Sequence, residues 1–162
     1  MELLIPKDTK ILVEDFQWIN PFAHDNFTVM EPLIEFKKLF EENNNTIEFD
    51  FKPINNLNPS YKQVDVYEII VADQYRFLIP AEMCIFHYLS KELIPAYKIA
   101  KNMPILVSAK GNIFVYMTVT DVKRYGNMKC LEIDARGCIA RIENKSICLP
   151  YYIPDSSLVI RN

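Results

Sequence analysis

The chain has 162 residues, half of them hydrophobic, which suits one domain of ordinary size in which burial is not limiting. Four cysteines in a chain this long make no disulfide framework, and no apolar run approaches the roughly 18 residues that would cross a bilayer. The net charge of −3 hides an asymmetry: residues 1–97 carry eight Lys/Arg against sixteen Asp/Glu, and residues 98–145 carry nine against four.

The N-terminus, Met1-Glu2-Leu3-Leu4-Ile5-Pro6, lacks the basic region and long apolar core of a secretion signal. The expected location is the cytoplasm or an assembled particle, with no membrane partner. Residues 1–27 have no clean period. Ile11-Leu12-Val13 reads as a short strand, and the rest as an irregular arm carrying Phe16, Trp18, Phe22 and Phe27. Coil cannot shelter four large rings by itself, so the arm lies either on this domain's own core or on another chain.

Thr28-Val29-Met30-Glu31 fits a helix capping box. Leu33, Phe36, Leu39 and Phe40 recur at helical spacing behind it, so a helix is expected over 29–42, ended by Asn43-Asn44-Asn45. Ile47, Phe49 and Phe51 alternate with Glu48 and Asp50 as in a half-buried strand. Pro53, Pro59 and several Asn make 53–63 a surface loop. Val64–Ala72 and Tyr75–Ile79 read as a hairpin turned at Asp73-Gln74. Met83, Phe86, Leu89 and Leu93 then predict a second helix over 80–94, stopped at Pro95.

From Met103 to Tyr152 the pattern has period two. Ile113, Val115, Met117 and Val119 point one way, and Phe114, Tyr116, Thr118 and Thr120 the other. All three glycines lie here, and Lys110-Gly111-Asn112, Tyr125-Gly126-Asn127, Arg136-Gly137 and Asn144-Lys145 are read as turns. The expected fold is α+β: two helices and an antiparallel, strand-rich small barrel or half-barrel over about 103–153. It forms a single domain, 1–162, with a subdomain seam near 97–103.

The chemistry is sparse. Phosphate-binding glycine loops, a serine nucleophile elbow, paired-cysteine zinc spacing and a calcium loop are all absent from the sequence. Cys84 and His87 stand three apart on the expected helix, where they would share a face as metal ligands or as a thiol beside a base. No second ligand pair accompanies them, so packing is the preferred reading, with no metal, no cofactor and no catalytic residue assigned. His24 stands beside Asp25 in a loop. Glu132, Asp134 and Glu143 could share a sheet face, but Lys129, Arg136 and Arg141 offer them cross-strand ion pairs. The cysteines Cys84, Cys130, Cys138 and Cys148 read as buried.

The leading expectation is therefore a non-enzymatic protein-interaction or assembly module. It would be a structural or adaptor subunit, with a virion component as one concrete form. Phe16, Trp18, Phe22, Phe27, Tyr151 and Tyr152 would meet a protein partner or a second copy. The alternative is a nucleic-acid-binding small barrel that uses the basic 110–145 stretch, through Lys123, Arg124, Lys129, Arg136 and Arg141. An enzyme of unfamiliar type is the third reading.

Overall fold

The structure, a computed structural model, describes residues 2–35, 47–90, 92–110, 113–142, 147–153 and 160–161. The chain opens with β1 (Leu3–Pro6), β2 (Thr9–Val13), β3 (Gln17–Ile19) and β4 (Asn26–Glu35). Then come β5 (Ile47–Glu48), β6 (Asp50–Leu57), β7 (Tyr61–Val71) and β8 (Tyr75–Pro80). The second half holds β9 (Cys84–His87), β10 (Glu92–Pro95), β11 (Pro104–Lys110) and the 21-residue β12 (Ile113–Ile133). β13 (Gly137–Ile142), β14 (Leu149–Tyr152) and β15 (Ile160–Arg161) close it. Among the described residues there is no α-helix, only three single 3-10 turns at Glu14–Phe16, Pro21–Ala23 and Ala96–Lys98.

The α+β expectation is thus corrected to a nearly all-β fold. The first expected helix begins inside β4, which pairs along its length with β6 from Asn26↔Leu57 to Leu33↔Asp50; residues 36–42 lie outside the described residues. The capping-box residues do other work. The Thr28 hydroxyl donates to Asn55 Oδ1 across the β4–β6 pair at 2.7 Å, and Glu31 Oε1 accepts the distant Arg136 N–H at 3.0 Å. The second expected helix is a hairpin, β9 against β10, with Phe86 opposite Leu93. The expected loop at 53–63 is largely strand, since β6 runs to Leu57 and β7 starts at Tyr61. The hairpin of β7 and β8 stands where expected, turned through Ala72 and Asp73 at positive φ.

The 103–153 stretch forms no barrel of its own. The strands form one sheet in the order β15-β4-β2-β13-β14-β9-β11-β12-β7-β8, and β1, β3, β5, β6 and β10 pair off that path. β12 is its spine: β11 and β5 pair with its first half, β7 with its middle and end, and β1 with its last four residues. Gly126 is a mid-strand irregularity of β12 at φ 129° rather than a turn. Arg136-Gly137 does sit at the entry to β13, while Gly111, Asn112, Asn144 and Lys145 lie outside the described residues.

Both faces of β12 bury apolar side chains, which is why its alternation has no wholly polar side. Val119, Leu131 and Ile133 enter the main core with Leu3, Ile5, Ile69 and Ile79. Phe114 enters a second, aromatic core with Phe49, Phe86 and Tyr152, and Tyr116 and Trp18 pack on it. The Phe49 and Phe114 rings meet edge to face, with centroids 4.9 Å apart. The N-terminal arm is structural: Leu3, Ile5 and Ile11 are fully buried.

Candidate functional site

An open groove of about 610 Å³ lies where the start of β1, the first half of β7 and the β8–β9 turn converge. Its floor is apolar, from Leu4, Val64, Pro80 and Met83. Its polar groups are mostly acidic: Glu2, Asp65, Glu82 and Glu132 against Lys62. Antiparallel pairing places β1 here, since Leu4 stands opposite Glu132 and Leu3 opposite Ile133. Backbone bonds pin the β8–β9 turn, with the Ala81 N–H donating to the Asp65 carbonyl and the Met83 N–H to the Pro80 carbonyl, both at 2.9 Å.

A second cleft of about 370 Å³ shares Glu2 and Glu132 with the groove and adds Ser60 and Asp134. The Ser60 hydroxyl donates to Glu132 Oε2 at 2.7 Å, and the Glu132 N–H donates to the Ser60 carbonyl at 2.8 Å. Buried Asn56 clamps the same end of β12 by accepting the Asp134 N–H at 2.6 Å and donating to the Asp134 carbonyl at 3.1 Å. Partial burial, then the neighbouring Glu132 and Asp134 carboxylates, push the Glu2 carboxyl above its ordinary value. Asp65 is neutralised by Arg124 Nη2 at 3.0 Å.

The sequence singles out Glu132 and Asp134, and they do stand together, whereas Glu143 lies outside the described residues. Glu2 joins them only through the pairing of β1 with β12, for which no local pattern speaks. Cys84 and His87 sit on a strand, where a spacing of three puts them on opposite faces, so they form no common site. Burial, then Glu82, pushes the Cys84 thiol up to about 12. Burial likewise pushes Cys130 and Cys148 up to about 12 and Cys138 higher still, so all four buried thiols are protonated at neutral pH. His87 Nδ1 lies 2.8 Å from Ser90 Oγ. His24 is exposed. Among the described residues no cluster of three His, Cys, Asp or Glu could hold a metal ion.

Tyr151 and Tyr152 are core residues, each 1% exposed, and Trp18, Phe22 and Phe27 are half-buried against the two cores. Of the residues expected to meet a partner, Phe16 alone is largely exposed, and its ring packs edge-on against Phe51. The basic residues are dispersed and engaged. Lys123 pairs with Glu68 at 3.2 Å, Arg124 with Asp65, Lys129 lies over the Tyr61 ring and Arg141 over the Trp18 ring. Arg136 follows the β12 end, where its N–H is held by Glu31.

No protein-family model and no curated protein matches the sequence. Solved structures do match. The DnaB intein from Synechocystis superposes with a TM-score of 0.62 at 8% identity, over 93% of this chain and 97% of that one. The transcription factor IIB Mvu mini-intein gives 0.61 at 10%, over 93% and 99%. The DnaX mini intein from Spirulina platensis gives 0.55 at 14%, over 94% and 99%. The fold is that of the inteins. This corrects the expected assembly or adaptor module, its virion form included, and the nucleic-acid barrel with it: the structural neighbours are neither. Among the described residues no helix is long and apolar enough to cross a membrane.

Proposed function

We propose that this chain is an intein-type domain that acts on the polypeptide to which it belongs, breaking and re-forming peptide bonds beside the groove at β1. The observation that carries the reading is the near-complete mutual coverage: an intein and this chain account for almost all of each other. Self-cleavage of a peptide bond requires a nucleophile, an acceptor for its proton and donors for the developing oxyanion. In this reading the four internal thiols take no part, because burial keeps them protonated. Proton handling falls to the Glu2 and Glu132 carboxylates, with the Ser60 hydroxyl held on Glu132.

The test places the chain between two reporter proteins and follows the precursor by gel and intact mass. A ligated pair of reporters with release of the chain, or cleavage at one junction, is the expected result. Exchange of Cys84 or Cys148 for Ala leaves that yield unchanged. A precursor still intact after prolonged incubation, with and without added thiol, overturns the proposal.

A further inference from the structure

The first half of β7 has an edge that no described strand covers. β8 pairs with β7 from Val71↔Tyr75 only as far as Val66↔Pro80. Proline has no N–H to continue the ladder, and after the single Ala81–Asp65 bond the chain turns away through Glu82 and Met83. It continues as β9, whose partners are β10, β11 and β14. On its other edge β7 remains paired with β12 down to Tyr61↔Leu131. Residues 61–64 therefore belong to a firmly held strand with one open side, and Lys62, Gln63 and Val64 line the groove along it. An open strand edge beside an apolar floor is the geometry that accepts an extended peptide as an extra strand.

The charge of the groove selects the peptide. Once Asp65 is matched by Arg124, three lining carboxylates, Glu2, Glu82 and Glu132, face one ammonium, Lys62. Glu2 and Glu132 stand where the groove meets the second cleft, with Asp134 just beyond in that cleft, and a cation between the two glutamates would relieve the mutual repulsion. Lys62 guards the edge itself, so the cation belongs at the β1 end, away from it.

We propose that the groove takes an extended polypeptide segment bearing Lys or Arg as an added strand on the open edge of β7, with its cation between Glu2 and Glu132. As a statement of the substrate class, this rests on the self-processing reading. Its test breaks no peptide bond, so either can fail alone.

The probe is a fluorescein-labelled, end-capped peptide of alternating valine and lysine, titrated with the full chain and followed by anisotropy. Saturable binding is expected. It weakens by about tenfold in a Glu2→Gln/Glu132→Gln variant, the change that loss of one charge-assisted contact produces. It also weakens by about tenfold when alternate amide nitrogens of the peptide are methylated, which removes backbone donors and keeps every charge. A valine–glutamate peptide does not bind. Equal binding of the methylated and parent peptides overturns the added strand. Unchanged binding by the Gln variant overturns the cation site, and absence of saturable binding overturns both.

Discussion

Glu68 is a nearly buried carboxylate in the middle of β7, held by Arg76 from β8 and Lys123 from β12. Burial alone would raise its pKa, but the hydrogen bonds from Arg76 and Lys123 outweigh it and leave the carboxyl lowered. A carboxyl lowered on folding stabilises the protein above its unfolded pKa of about 4.3, and that contribution disappears as pH falls through the folded value. Below about pH 4, then, the wild-type melting temperature should fall as Glu68 takes up its proton. Glu68→Gln should melt lower at neutral pH and show a shallower acid slope, measured by thermal denaturation at a series of pH values. Parallel slopes for the two proteins would remove Glu68 from the acid response. The sequence says nothing of Glu68, whereas the cysteines have apolar neighbours that already imply the burial found for all four. Tyr151 and Tyr152 were less legible, because flanking prolines suggest a surface and only the pairing of β14 with β13 and β9 puts both rings inside.

At the scale of elements, the strands written in strict alternation were legible and the expected helices were not. Met83, Phe86, Leu89 and Leu93 imitate a helical stripe because a tight hairpin brings Phe86 and Leu93 face to face, while Leu89 sits at the turn, 70% exposed. Spacing alone cannot separate a short hairpin from a helix when both bury residues three and four apart. Gly126 imitates a turn for a related reason. Its positive φ serves an irregularity that lets a 21-residue strand stay paired with β7, not a turn. Glycine therefore acts differently at its two described positions, and substitution separates them. A Cβ on Gly126 meets nothing within 4 Å, so Gly126→Ala costs backbone strain alone, about 1–3 kcal/mol. A Cβ on Gly137 would stand 2.5 Å from Tyr152 Cδ1, an overpacking cost also of about 1–3 kcal/mol. In urea denaturation, Tyr152→Leu should reduce the cost of Gly137→Ala and leave that of Gly126→Ala as it was. Equal costs in both backgrounds would mean that the Tyr152 ring is not what excludes a side chain at Gly137.

At the scale of the molecule, the N-terminal segment decides whether the sheet exists at all. β1 covers the last residues of β12, and β2 joins β13 to β3 and β4. Leu3, Leu4, Ile5, Ile11, Leu12 and Val13 are all buried, and each contributes about 1.5–3 kcal/mol by area. Their sum is of the same order as the roughly 5–15 kcal/mol by which a domain is stable, even before the two opened strand edges are counted. Removing residues 1–13 should therefore abolish the cooperative melt, leave dye-binding apolar surface exposed, and shift the emission of Trp18, which packs on the aromatic core across from Leu12, to the red. An arm lying over a finished domain would behave otherwise: the truncated chain would keep its sigmoidal melt and its Trp18 emission. That result would mean that β12 and β13 find partners without β1 and β2, and the groove beside Leu4 would lose the wall that forms it.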